Sequence, residues 1–276
     1  MHSVERGSGY PILIIHGFCV DHHLLLGLDP VFDRQGRWRR VYIDLPGMGK
    51  SAAGPEIDSA DAVAEAVVSF ARKTFGNQKF AVLGSSFGGM IARHVVAEFG
   101  EQVLGLALLC PVTVAEQGAR TVPPQTVLQR DPGLLSSLDS EDAADYEAKA
   151  VVQSPENWAR FRESVLPGFR AFDRGAIERI MSSYSLTTER EQRSPKFQGP
   201  TLIITGRQDH IVGFQDQFVL SDHYPRSTFA VLDRCGHNAH LDQPGLTRSL
   251  LDDWLARMED RLRSDMSVLD ASLPAT

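Results

Sequence analysis

Four short runs of near-continuous apolar residues, Ile12–Ile15, Arg40–Leu45, Phe80–Ser85 and Val103–Cys110, alternate with longer helical patterns in the first part of the chain. Strands that are apolar along their whole length, rather than at every second residue, are covered on both faces. Alternation of such strands with helices is the mark of βαβ units and a mostly parallel sheet. Between the second and third runs, Asp58–Phe75 sets Ala62, Val63, Ala66, Val67, Phe70 and Ala71 at helical spacing, and Gly76 stands just past the expected end. The pattern resumes late in the chain with Thr201–Gly206, a helix near Phe214–His223, Thr228–Asp233 and a long helix from Pro244 to about Arg261. The residues after it, ending in MSVLDASLPAT, lack a clear packing partner and are expected to fray.

The alternation breaks after Cys110-Pro111. Residues 111–198 hold Pro-rich turns and polar helical patterns near Glu141–Val152, Pro155–Leu166 and Arg174–Ser183, without a strong strand. The expected architecture is therefore an α/β core over 1–110 and 199–276, with a helical cap inserted at 111–198. Trp158, Phe161 and Val165, followed by Phe169 and Phe172, form an apolar stripe in that cap. Its first reading is adhesion of the cap to the core, with one or two members facing a substrate.

Composition narrows the partners. A formal charge of −7 and a pI near 5.7 argue against an electrostatic grip on nucleic acid or an anionic membrane, both of which need a basic surface. Cys19, Cys110 and Cys235 form neither a disulfide framework nor a CxxC pair, so a reducing compartment is expected. The N-terminal residues carry no apolar run of signal-peptide length, and no run approaches the roughly 18 apolar residues of a membrane span. A cytoplasmic protein with a small-molecule substrate and no cofactor or metal is the expectation; the oligomeric state stays open.

The chemistry-bearing signal is Gly84-Ser85-Ser86-Phe87-Gly88, directly after an expected strand and directly before an expected helix. A serine on such a turn projects its hydroxyl from the carboxyl edge of the sheet, while the flanking glycines leave room for the sharp bend. Ser86 fits the glycine spacing and Ser85 does not. A serine hydroxyl is a weak nucleophile, so it needs a base and an acid that orients the base. Asp209 in Gly206-Arg207-Gln208-Asp209 and His237 in Cys235-Gly236-His237 each follow a strand end, giving the order Ser, Asp, His. Taken singly, Asp209 reads as a helix-capping loop acid and His237 as a turn histidine. His240 is the competing base, and His210 reads as a loop neighbour of Asp209. His237 is favoured because it follows Gly236 just beyond a strand.

In His16-Gly17-Phe18, after the first strand, the backbone is the functional element: the N–H groups of Phe18 and Phe87 can bind the oxyanion of a tetrahedral intermediate. His16 is expected to brace that loop; Cys19, beside it, is a candidate to line the pocket but reads first, like Cys110, as a small buried hydrophobe. The string Asp44-Leu45-Pro46-Gly47-Met48-Gly49-Lys50-Ser51 mimics a phosphate loop, but Asp44 stands where its first glycine belongs, so it reads as a turn in which Asp44 is a structural acid.

These motifs in this order, HGF at His16–Phe18, DLPGMGKS at Asp44–Ser51, GSSFGG at Gly84–Gly89, GRQD at Gly206–Asp209 and CGHNAH at Cys235–His240, resemble the α/β-hydrolase superfamily over nearly the whole chain. The resemblance implies an acyl-enzyme mechanism through Ser86, His237 and Asp209. Few residues precede the first core strand, so the family's leading hairpin is expected to be shortened or missing, in a sheet of six or seven strands. A serine nucleophile sets the chain apart from the epoxide hydrolases and haloalkane dehalogenases, which use aspartate. A carbon–carbon lyase of menaquinone synthesis has similar HGF and GHNAH segments, but it carries arginine where this chain has Met90. The C–C hydrolases of aromatic degradation often carry tryptophan where this chain has Asn238. Hydrolysis of a small carboxylic ester, lactone or thioester is the expected activity; C–C bond hydrolysis, a proton-abstraction lyase and a triad-retaining small-molecule receptor are the alternatives.

Overall fold

The computed structural model describes residues 1–34, 36–187 and 194–271. Seven strands form one sheet: β1 (Ser3–Arg6), β2 (Tyr10–Ile15), β3 (Trp38–Ile43), β4 (Phe80–Ser85), β5 (Val103–Leu109), β6 (Thr201–Gly206) and β7 (Ser227–Leu232), in the order β1-β3-β2-β4-β5-β6-β7. All neighbours are parallel except β1, which runs antiparallel to β3 at the edge. The leading element is thus a single strand that bypasses β2 rather than a hairpin with it. Its sequence SVER is too short and polar to announce itself among the apolar runs. β2, β4, β5 and β6 are buried at nearly every position, as double-sided helix cover demands.

The helix Ala60–Phe75 begins where the Ser59 hydroxyl accepts a hydrogen bond from Ala62 N–H at 3.2 Å. It buries Val63, Val67, Ala71 and Phe75 against the sheet and stops at Gly76, whose φ of 53° suits glycine. The helix Phe87–Phe99 is apolar almost all round and carries the chain from β4 back to β5. The C-terminal helix spans Pro244–Ala271, well past Arg261; the rest of the tail expected to fray lies outside the described residues.

Between β5 and β6 the described residues hold a 3-10 turn at Gln117–Ala119, five short α-helices and no sheet strand: Pro132–Ser137, Ser140–Glu147, Pro155–Ser164, Leu166–Phe169 and Arg174–Ser182. The helix read as Pro155–Leu166 breaks at Val165, because Pro167 disfavours an ordinary helical turn before it. Trp158 and Phe161 pack edge-on against Tyr146, while Val165 and Phe169 turn toward the carboxyl edge of the sheet.

Strand order fixes where chemistry can sit. After β2 the chain moves outward to β3, then returns to the other side of β2 as β4. The sheet therefore reverses direction between β2 and β4, and ligands of open α/β sheets bind in the crevice outside such a switch point.

Candidate active site

Three loops leave the carboxyl edge of the sheet close together because their strands are in register. Ile15 of β2 pairs with Gly84 of β4, so Gly17-Phe18 and Ser86-Phe87 emerge side by side. Gly206 of β6 pairs with Leu232 of β7, which starts the Asp209 and His237 loops from one level. Ser86 holds φ 54° and ψ −118°, a conformation an L-residue adopts only under constraint. The constraint is visible: Ser86 N–H donates to Leu109 O at 2.9 Å, and Ser86 O accepts from Gly89 N–H at 2.9 Å and Val112 N–H at 3.0 Å.

The glycines of the turn are required by contact. A Cβ on Gly88 would lie 2.2 Å from His16 O and 2.4 Å from Ile15 O, and one on Gly84 would lie 2.3 Å from Gly88 O. Both clashes are with backbone, which cannot swing aside. Gly88→Ala is accordingly expected to lower unfolding stability by about 3 kcal/mol, the upper range for overpacking a core. Urea unfolding of the purified variant measures it; a loss under about 1 kcal/mol would mean that β2 and the helix separate easily.

Ser86 Oγ–H donates to His237 Nε2 at 2.9 Å, and His237 Nδ1–H donates to Asp209 Oδ2 at 2.9 Å. Asp209 is fully buried, and its second oxygen accepts the N–H groups of Ile211 at 2.9 Å and Val212 at 3.1 Å. Burial pushes its pKa up, but the facing His237 and these hydrogen bonds outweigh that and hold it below the usual carboxylate value. Asp209 stays ionised.

His16 is fully buried: its Nδ1–H donates to Gly17 O at 2.7 Å and its Nε2 accepts Leu45 N–H at 2.9 Å. Burial lowers its pKa, so a neutral ring pins the Phe18 loop to the turn after β3. The rings of Phe18 and Phe87 meet edge to face with centroids 5.1 Å apart, and a Cβ on Gly17 would sit 3.2 Å from Ser86 Cβ. Gly17-Phe18 and Phe87 thus adjoin Ser86 on neighbouring loops.

The competing histidines are placed elsewhere. His240 Nε2–H donates to Leu24 O at 2.8 Å, and burial pulls its pKa down to about 4. His210 neighbours Asp209 without entering the chain of hydrogen bonds to Ser86. Asp44, inside the phosphate-loop mimic, accepts His22 N–H and His22 Nδ1–H on one oxygen and Lys50 N–H on the other. Met90 is buried in the core and does not line the cavity, whereas Asn238 does.

One positioning group escaped the sequence reading. Asp242 is half-buried and accepts Gly236 N–H at 2.8 Å on one oxygen and Asn157 Nδ2–H at 2.9 Å on the other. It ties the loop bearing His237 to the helix Pro155–Ser164. Burial raises its pKa to about 6. An acid five residues beyond a histidine carries no motif, so only its position in the sequence CGHNAHLD hinted at it.

Ser86 and His237 open into a cavity of about 560 Å³. Its walls are largely apolar, with Val20 and Leu24 from the core and Val112, Val165, Phe169 and Tyr184 from the inserted segment. Cys19 also lines it; burial pushes that thiol up to about 11, so it is neither a thiolate nucleophile nor a ready metal ligand. Cys110, Asp209 and His237 set three ligand-type atoms within 4.8 Å of one another, but both His237 nitrogens are engaged and burial pushes the Cys110 thiol well up. The group His2, His22 and Asp44 is likewise committed, since Asp44 already accepts from His22 and Lys50. The donor sets suit proton relay and backbone bracing better than metal.

An ionised acid, a histidine held in one tautomer, a serine on a strained turn and adjacent backbone amides can together carry out acyl transfer. Known esterases and hydrolases are similar to the chain. Monoacylglycerol lipase ABHD6 of Bos taurus is 26% identical over 268 residues, covering 89% of this chain and 75% of its own. The pimeloyl-[acyl-carrier protein] methyl ester esterase of Shewanella woodyi is 23% identical, covering 92% of this chain and 97% of its own. The crystal structure of an alpha/beta superfamily hydrolase from Oenococcus oeni PSU-1 superposes with a TM-score of 0.84 at 27% identity, covering 93% of this chain and 96% of that one. The family model for the alpha/beta hydrolase fold matches residues 10–244, and the chain belongs to that family.

Proposed function

We propose that this chain is a serine esterase that hydrolyses a small-molecule carboxylic ester, or its lactone or thioester equivalent, through an acyl-enzyme. The observation that carries this reading is the hydrogen-bonded chain Ser86–His237–Asp209 opening into a largely apolar cavity. Ser86 Oγ attacks the ester carbonyl while its proton passes to His237 Nε2; the carbonyl oxygen becomes an oxyanion held by Phe18 N–H and Phe87 N–H. The C–O bond to the alcohol breaks as His237 returns the proton to the leaving oxygen. Water then enters, gives a proton to His237 and attacks the acyl-Ser86 carbonyl; as the acyl–Oγ bond breaks, His237 returns that proton to Ser86 Oγ and the acid leaves. Asp209 keeps Nδ1 protonated throughout and stabilises the imidazolium.

The similarity to a lipase and a methyl ester esterase favours the ester over a carbon–carbon bond. In this reading residues 111–198 act as a cap that closes the cavity and sets substrate choice. The three free cysteines suit a reducing, cytoplasmic setting. Among the described residues no helix is long and apolar enough to cross a membrane.

Treatment with a fluorophosphonate followed by intact-mass measurement and peptide mapping tests the proposal. The expected result is a single adduct on Ser86, with saturable turnover of short and medium acyl esters that the adduct abolishes. An unlabelled protein, or a labelled one that cleaves no ester in the panel, would overturn it.

A further inference from the structure

The cavity beside Ser86 contains a cation that the proposed chemistry does not use. Lys149 follows the helix Ser140–Glu147, and its N–H donates to Tyr146 O at 3.0 Å. Its carbonyl oxygen lies 3.4 Å from where a Cβ on Gly236 would stand, so its backbone rests on the loop that presents His237. It lines the same cavity as Ser86 and His237, and its charge acts on the Cys19 thiol in the same wall. Among the described residues no carboxylate comes within 4.0 Å of its ammonium to form an ion pair.

The surrounding carboxylates attract it without pairing with it. Asp209, which attracts it, is already committed to His237, Ile211 and Val212. Asp145 and Cys19 also attract it; burial holds the thiol protonated, and the Asp145 carboxylate forms no ion pair with it. The remaining ionic groups on the wall are Arg120 and Glu116, and Glu116 is exposed. Arg120 donates to the carbonyls of Val114, Ile211 and Ala115, which are neutral acceptors. The chain carries a formal charge of −7, yet this cavity wall sets two cations against one solvent-facing carboxylate. Burial pulls the Lys149 ammonium below the usual lysine value, which expresses a desolvation cost that a bound anion would offset.

We infer that Lys149 is an anion subsite of the acyl-transfer cavity, so that the preferred substrates are esters bearing a carboxylate remote from the scissile bond. Val165 and Phe169 on the same wall would pack the hydrocarbon between the two ends. This inference rests on the esterase reading for its substrate but not for the binding site itself.

Two measurements on the full chain keep the two readings separable. In the first, monomethyl esters of dicarboxylic acids of about four to eight carbons are compared with methyl esters of monocarboxylic acids of equal length. Wild type is expected to favour the anionic series, with an optimum at one chain length, and Lys149→Met to reduce the anionic-to-neutral ratio of kcat/KM about tenfold or more, chiefly through KM, as loss of a charge-assisted hydrogen bond requires. Lys149→Arg should restore much of the ratio. A ratio unchanged in Lys149→Met overturns the inference while leaving the esterase reading intact.

In the second measurement, calorimetric titration with the free dicarboxylates and their neutral diamides needs no turnover. Binding of the dicarboxylate alone, lost in Lys149→Met, supports the subsite even if no ester is cleaved; equal binding of both, or of neither, overturns it. If Lys149→Met does not fold, Lys149→Gln and the wild-type preference decide the same question.

Discussion

Ser86→Ala is expected to lower kcat/KM for any ester substrate by about five orders of magnitude, while leaving the unfolding midpoint within about 2 °C of wild type. In the proposed mechanism the variant lacks the atom that forms the acyl-enzyme, and the rate that survives is what binding and oxyanion stabilisation give to direct attack by water. For the same reason adding His237→Ala should cost little more, because a base without its nucleophile has nothing to activate. Stability behaves differently. Alanine inherits the same φ of 54° and ψ of −118° and with it the same strain. Glycine does not, so Ser86→Gly should be as inactive but more stable, by about 1 kcal/mol after the larger entropy of the unfolded glycine is counted. Steady-state kinetics with thermal unfolding of the three proteins checks both parts. An active Ser86→Ala enzyme would remove the serine from the mechanism, and equal stability of the alanine and glycine variants would show that the turn stores no strain.

The strain also explains why this turn was legible in the sequence. A strand, a serine between glycines and a helix are contiguous, so their geometry is set by local sterics and can be read without knowing the rest of the fold. Asp209 and His237 were legible for a related reason: each follows a strand end, and parallel strands in register bring their ends to one edge.

What was hidden depends on tertiary path. β1 is SVER, polar enough to pass for a loop until β3 supplies its ladder. Lys149 stands at the end of an ordinary polar helix, and nothing in its neighbours shows that the chain returns it to Gly236. Asp242 is one more acid in a polar loop until Asn157, far earlier in the sequence, comes to meet it. The apolar stripe of the inserted segment had one periodicity but two destinations. Trp158 and Phe161 serve the packing around Tyr146 and Phe169 serves the cavity, a division set by the break before Pro167.

Asp209→Asn is expected to lower kcat by about four orders of magnitude with little change in KM or stability, and the reason lies in which atom the two backbone amides demand. Ile211 N–H and Val212 N–H both point at Asp209 Oδ1, so in the amide the oxygen must stay there and the NH2 must face His237. An NH2 group can only donate. His237 Nδ1 must then accept, and the ring proton moves to Nε2, where it faces Ser86 Oγ and blocks proton uptake from the serine. The same substitution removes the buried negative charge that offsets the imidazolium. Asp209→Ala adds a different fault: the two amides lose their acceptor inside the protein, so stability should fall by about 2 kcal/mol as well. Nitrogen NMR of the imidazole, reporting Nδ1–H in wild type and Nε2–H in Asp209→Asn, reads the tautomer directly. A loss of less than about tenfold would move the orienting role to another acid. Asp242 is the one already tied to this loop, and its hydrogen bond goes to Gly236 N–H rather than to the His237 ring. Asp242→Asn should accordingly loosen the loop and leave the tautomer unchanged.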